Sequence, residues 1–184
     1  MTLRHLITLA ALLFPLAVSA HDFTENQRVP PVGIADKGEL LLDNGNFSYR
    51  PWNSAQLAGK VRVIQHIAGR SSAKEENAAL IEAIKSAQLP HDRYQTTTIV
   101  NTDDAIMGTG MFVRSSIEGS KKQYPWSQFI VDSQGVAKQK WQLKSGGSAI
   151  VVLDNSGRVQ FVKDGPLSGP EVQQVMTLLR KLLH

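Results

Sequence analysis

The sequence predicts an α/β fold: a mixed β-sheet flanked by helices, with a β-hairpin extension at its N-terminal end. Three observations carry this expectation. Residues 61–76 read as a buried strand, a short glycine-containing loop and a capped helix start. A β-branched run at residues 96–101 follows that helix, and a β-α-β crossover makes its two strands parallel. Asn44-Gly45 and Asn155-Ser156-Gly157 each separate two apolar runs, which marks two hairpins and therefore antiparallel strands in the same sheet.

The chain opens with Arg4 and His5, continues through an apolar run at residues 6–18, and reaches Val18-Ser19-Ala20. A basic start, an apolar stretch of that length and small residues at its end form a secretory signal peptide, residues 1–20, with cleavage after Ala20. A membrane anchor is the alternative. As a helix the run would cover only about 20 Å, short of the ~30 Å hydrocarbon core, and it contains Pro15. Residues 21–184 are then expected to form a single domain with no membrane span after cleavage.

Residues 21–27 are polar and read as a loosely held start. Pro30-Pro31 force an extended entry. Runs at residues 39–42 and 47–49 form the first hairpin about Asn44-Gly45. After the strand that begins at Val61, Ser72-x-x-Glu75 matches a capping box, and Asn77, Leu80, Ile81 and Ile84 share one helical face that runs to about Ala87, before Pro90. Met107-Gly108-Thr109-Gly110 reads as a flexible turn, and residues 111–122 as a helix turning Val113 and Ile117 inward. Residues 129–132 form a short strand. Residues 136–143 fit either a strand or a short helix with Ala137 and Trp141 on one face. Residues 148–154 and 158–162 pair about Asn155-Ser156-Gly157. Ser168-Gly169-Pro170-Glu171 then starts a helix whose apolar face is Val172, Val175, Met176, Leu179, Leu182 and Leu183.

Composition excludes whole classes of chemistry. The chain has no cysteine, so thiol redox catalysis, disulfides and thiolate-bound metals are all ruled out. The formal net charge is +4, with basic residues scattered among acidic ones. The densest cluster, Lys138-Gln139-Lys140 with Lys144, is too thin for a nucleic-acid footprint. There is no Gly-x-Ser-x-Gly, no phosphate-binding glycine loop and no His-Glu-x-x-His, and no histidine pair has metal-ligand spacing, so neither a cofactor nor a metal is expected.

The order of elements, with the joint at residues 61–76, the strand ending Val100-Asn101-Thr102-Asp103-Asp104 and the hairpin at residues 150–159, resembles the thioredoxin fold in its extended form. More closely, the chain resembles the YtfJ family of exported thioredoxin-like proteins. That likeness is carried by Gln27-Arg28-Val29-Pro30-Pro31, Gln65-His66-Ile67-Ala68-Gly69-Arg70, residues 94–104 and Pro125-Trp126-Ser127-Gln128-Phe129-Ile130-Val131-Asp132. The resemblance implies a thioredoxin-like fold and a periplasmic location, and no established activity. Where thioredoxins carry Cys-x-x-Cys this chain has Arg70-Ser71-Ser72-Ala73, and near the usual cis-proline it has Ser148. A serine hydroxyl cannot form a disulfide, so thiol-disulfide oxidoreductase and cysteine peroxidase activities are excluded.

On that fold, loops at residues 69–72, 101–105 and 146–148 meet at one end of the sheet, where open α/β sheets bind ligands. Arg70, Ser71 and Ser72 at a helix start, with Asp103, Asp104 and Ser148 opposite, are the candidate binding residues. The expected ligand is a small anion, or a protein that presents an acidic peptide end. The plain alternative is that Ser72 only caps its helix and Arg70 pairs with Asp103 or Asp104. The expectation is a non-catalytic binding or interaction module. An enzyme without a cofactor, or with a metal, would have to use His66, Ser71 or Asp103, and a serine needs its base within hydrogen-bond reach. In an extended chain Asp103 and Asp104 would point to opposite sides and form no dyad.

Overall fold

The computed structural model describes residues 21–184. The expected signal peptide and its cleavage site lie outside the described residues. In chain order the elements are β1 (Gly33–Asp43), β2 (Asn46–Asn53), β3 (Val61–Ala68), α1 (Ser71–Glu76), α2 (Ala78–Ser86), β4 (Tyr94–Asn101), α3 (Gly110–Gln123), β5 (Gln128–Asp132), α4 (Val136–Trp141), β6 (Ser148–Leu153), β7 (Val159–Asp164) and α5 (Gly169–Leu183). One seven-stranded sheet runs in the order β2-β1-β5-β4-β3-β6-β7. Strands β3, β4 and β5 are parallel, and the outer pairings are antiparallel, which gives the mixed sheet that the two hairpins require.

Apolar runs on the central strands supply both faces of the sheet, so both must be covered. Ile64, Ile99, Ile130, Val151 and Leu153 face α4 and the segment before β1, where Trp141, Ala137 and Phe23, with Trp52 of β2, complete one core. Val61, Val63, Ile150 and Val152 face α2 and α5 on the other side. Further along that same side, Ile67, Val100 and Val131 pack beneath Ile117 of α3. The first hairpin is longer than its apolar runs indicate. A bulge between Ile34 and Glu39 absorbs the offset at Gly38, whose φ of 75° and closeness to the Arg50 carbonyl exclude a Cβ.

The structure corrects several local expectations. The segment before the first proline pair is tied down rather than loose: Phe23 is buried against Trp141 with ring centroids 5.2 Å apart, and the Asp22 and Asn26 amides donate to the carbonyls of Trp141 and Val159. A single aromatic in a polar stretch was enough to anchor it. The expected helix over residues 72–87 is two helices, broken at Asn77, whose φ of −117° leaves the helical region. Ser72 caps nothing. Arg70 is the extended N-cap of α1 and offers no side-chain cap, and Ser72 is the second helical residue. Asp103 and Asp104 lie in a 3₁₀ turn at residues 102–104, not in extended chain. Residues 136–141 resolve as the helix α4, because the Asp132 carboxylate accepts from the amides of Val136 and Ala137 at 3.0 and 2.8 Å. The capping box at Ser168 and Glu171 forms as its spacing predicts, with Pro170 in the first turn.

The anchoring of the amino-terminal segment is measurable. Phe23→Ala removes an aromatic packed on Trp141 and is expected to lower unfolding free energy by about 3 kcal/mol. Urea unfolding followed by tryptophan fluorescence reads the change; a loss below about 0.5 kcal/mol, in the range of an ordinary surface substitution, would show the segment is not part of the core.

Candidate functional site

The carboxyl ends of β3 and β4 deliver two loops side by side. Gly69 follows β3 and donates its amide to the Asn101 carbonyl at 2.8 Å; a Cβ there would stand 3.2 Å from Ala105 Cβ and from that carbonyl oxygen, so only glycine lets the loops approach this closely. Arg70 then extends its guanidinium across the second loop. Its Nε donates to the Asp104 carbonyl oxygen at 2.9 Å, and Nη2 donates to the same atom. Beneath Gly146, whose φ is +77°, a Cβ would meet Arg70 Nη1 at 3.3 Å.

The Asp104 carboxylate points the other way. It accepts from Lys138 Nζ of α4 at 3.0 Å and from the Gly146 amide at 3.1 Å. Lys138 also donates to Ser145 Oγ at 3.2 Å. Partial burial pushes the Asp104 carboxyl up, but the Lys138 and Gly146 bonds outweigh it and hold the group below the usual carboxylate range. A second carboxylate completes the arrangement: Glu76, at the end of α1, accepts the Ser148 amide at 3.0 Å. The four segments therefore close on one another through three loop backbones and two carboxylates.

Asn77 ties the same region from the other face of the sheet. Its Nδ2 donates to Ser148 Oγ at 3.0 Å and to the Gly165 carbonyl at 3.3 Å, and its Oδ1 accepts the Leu167 amide at 2.9 Å. The break between α1 and α2 is what frees this side chain to do so.

Of the residues expected to form a site, Arg70 and Asp104 are in direct contact, through the carbonyl rather than the carboxylate of Asp104. Ser71, Ser72 and Asp103 stay exposed at the rim. Ser148 is buried, its hydroxyl occupied by Asn77. His66 lies on the α4 side of β3, buried, with no hydrogen-bond partner at Nε2, so no serine hydroxyl reaches that atom. Beside it, Asn101 uses Oδ1 to accept the Asp103 amide at 3.1 Å while its buried Nδ2 has no partner. Burial pushes the His66 imidazole down to about 4, against the pull of the Asp104 carboxylate and with the help of the Lys138 charge. Among the described residues no group of three or more His, Asp or Glu side chains could hold a metal ion.

Sequence reasoning placed the Gly146 loop at this end but missed the roles of Glu76, Asn77 and Lys138, and it missed an apolar surface. Met107 is 98% exposed, Met111 78%, Phe112 76% and Ile106 57%. They follow directly on Ala105, in a turn closed by Thr109, whose amide and hydroxyl both donate to the Ile106 carbonyl, and pass into the first turn of α3. The signal was present: with Val113 and Ile117 assigned to the inward stripe, Met111 and Phe112 fall off it. On the α1 side, Lys74 Nζ reaches Ser116 Oγ of α3 at 3.3 Å, so exposed basic groups border this surface.

A cysteine-free thioredoxin-like domain is the class that this sheet and this joint define. Solved structures of similar architecture include a candidate thiol:disulfide interchange protein, DsbE, from Chlorobium tepidum, with 13% identity, a TM-score of 0.59, and 89% of this chain and 100% of that chain covered. Another is a thiol-disulfide isomerase from Corynebacterium glutamicum, with 15% identity, a TM-score of 0.55, and 81% and 93% covered. At these identities the likeness is one of fold alone. Residues 23–182 match the family described as bacterial protein of unknown function, YtfJ_HI0045. The uncharacterized protein YtfJ of Escherichia coli K12 is 70% identical over 183 residues, covering 100% of both chains, and an uncharacterized protein of Haemophilus influenzae is 43% identical over 177 residues, covering 96% of both. The chain belongs to the YtfJ family.

Two measurements follow from the geometry. The folded His66 resists protonation while the unfolded chain takes up its proton near pH 6.5, so stability is full above that value and falls as pH drops toward about 4. The difference corresponds to on the order of 3 kcal/mol. Urea titrations between pH 7 and 4 are expected to show this slope, and His66→Gln to flatten it; an equal slope in both proteins would assign the acid sensitivity elsewhere. Asn77→Ala leaves the Leu167 amide without its acceptor and is expected to cost about 2–3 kcal/mol, whereas Ser72→Ala is expected to cost under about 0.5 kcal/mol. The reverse ranking would reinstate Ser72 as a cap.

Proposed function

We propose that this protein is exported to the periplasm and acts there as a non-catalytic binding module, holding a protein partner at the loop end of its sheet. The observation that carries the reading is the juxtaposition of the Arg70 loop with the open apolar stretch of Ile106, Met107, Met111 and Phe112. Thiol chemistry is absent for want of cysteine, and the loops are bonded to one another instead of to a reacting group. An apolar surface beside such a frame is what a docking site needs. Arg70 lies on the adjoining loop and exposed Lys74 reaches α3 at Ser116, which favours a partner segment with apolar anchors and acidic flanks. Arg70, Ser71 and Ser72 would meet the acidic part; Asp104, its carboxylate held by Lys138 and the Gly146 amide, would brace Arg70 from behind, Asp103 would lie at the edge of the contact, and Ser148, buried behind them, would support the loop. Export is supported by the basic and apolar leader with its small-residue end. Among the described residues no helix is long and apolar enough to cross a membrane.

An enzyme built on His66, Ser71 or Asp103 is less favoured, since His66 is buried and neutral while Ser71 and Asp103 sit outside at the rim. Cross-linking of purified protein in periplasmic extract is expected to capture a discrete partner with the wild type and to lose it with Phe112→Ser and with Arg70→Ala, both still folded by circular dichroism. Equal capture by all three, or a turnover activity abolished by His66→Ala, would overturn the reading. Amino-terminal sequencing of the protein recovered from the periplasm is expected to begin His21-Asp22-Phe23; an intact leader on cytoplasmic protein would refute export.

A further inference from the structure

We propose that Met107 and Met111 form an oxidation site, through which two-electron oxidants of the hypochlorous acid class switch off the docking surface; this rests on the reading that the loop end binds a protein partner. The chain has no cysteine, so no thiol competes for such an oxidant and the thioether sulfurs are its softest nucleophiles. Met107 and Met111 are 98% and 78% exposed, while Met176 is 4% exposed in the core beneath α5. Among the described residues two thioethers are thus accessible and one is protected. The accessible pair is not scattered over the surface. Both lie within seven consecutive positions that also hold Ile106 and Phe112, four residues apart across the turn that Thr109 closes. Two of the four large apolar side chains on this surface can therefore change character together.

The step is simple. A sulfur lone pair attacks the oxygen of hypochlorous acid, the S–O bond forms as the O–Cl bond breaks, chloride leaves, and the hydroxyl proton passes to water. Sulfur loses two electrons and chlorine gains them, leaving methionine sulfoxide. A flexible apolar side chain becomes a polar one with a strong acceptor oxygen. Burying that oxygen against an apolar partner without a donor is unfavourable, so the oxidised surface no longer fits the segment that the reduced one accepts. The side chains take no part in the fold's core, so the switch leaves the domain intact. Leucine would supply the same apolar area without this sensitivity, which makes the pair separable from the surface it occupies.

The experiment treats the purified protein at neutral pH with small molar equivalents of hypochlorous acid, maps oxygen addition by peptide mass spectrometry, and reads the apolar surface with the dye 8-anilinonaphthalene-1-sulfonate. Met107 and Met111 are expected to gain oxygen at least about tenfold faster than Met176. Dye fluorescence is expected to fall with their oxidation and to persist in the treated Met107→Leu/Met111→Leu protein. Oxidation of Met176 at a matching rate, or unchanged dye binding after complete oxidation of the pair, overturns the proposal. Partner capture separates the two readings. Capture that needs Phe112 but survives full oxidation sinks this inference alone, whereas capture indifferent to Phe112 in the untreated protein sinks the binding reading, with the sulfoxide map unaffected.

Discussion

Asp104 is the interaction on which the functional end of this molecule depends. Its carbonyl oxygen receives Arg70 from the β3–α1 loop, and its carboxylate receives Lys138 of α4 and the amide of Gly146. One residue in a short 3₁₀ turn therefore bonds to three segments at once. Lys138 and Asp104 are both largely buried, so their attraction is screened much less than that of a surface pair. The guanidinium is not spent on the carboxylate, which is why Asp104 can satisfy two cations and an amide without either cation being left alone. The same pair bears on His66 beneath it with opposite signs, and the two effects offset. Desolvation is then left to decide its protonation, and the imidazole is neutral.

This arrangement explains how a thioredoxin-like sheet stands without the groups that usually occupy its reactive end. The joint between β3 and α1 is a close approach of two loops, which Gly69 permits and Arg70 seals. Opposite it, the start of β6 needs its amide and hydroxyl accounted for, and Glu76 and Asn77 do so. The break in the helix at Asn77 follows from this. A continuous helix would direct the side chain along the helix surface, whereas the non-helical residue can bond β6 and the β7–α5 loop at once. A lost helical turn of hydrogen bonding is offset by three side-chain bonds in a buried site, where leaving the Leu167 amide unpaired would itself cost about 1–3 kcal/mol.

The sequence showed those parts whose causes are local. Asn44-Gly45 and the Ser168–Glu171 capping box hold their partners within a few residues, and each appears where its pattern put it; the apolar run of β3 marks a strand by its composition alone. Asn77 looked like one more member of a helical stripe because its partners lie 71 to 90 positions away. Lys138 looked like part of a thin surface cluster because Asp104 is 34 positions distant. Ser72 shows the opposite failure: its capping pattern was local and complete, but the approach of Gly69 to Asn101 fixed the chain direction and started the helix two residues earlier. The fold suggests that Arg70 pairs with Asp103 or Asp104, but nothing in the residues says which, or that the carbonyl is the acceptor.

The exposed stretch after Ala105 is where local stability and function part company. Each large apolar side chain left in water forgoes roughly 1.5–3 kcal/mol that burial would return, and α3 already has an inward stripe in Val113 and Ile117 on which such residues could have been placed. The turn that carries Ile106 and Met107 is nevertheless well bonded, closed by both the amide and the hydroxyl of Thr109, so the exposure is held rather than incidental. A bonded frame on one side and a flexible, soft pair of thioethers on the other would let the proposed partner segment dock with little reorganisation of the backbone. The frame comes from Asp104, Arg70 and Lys138, which is why the clasp and the open surface are parts of one site.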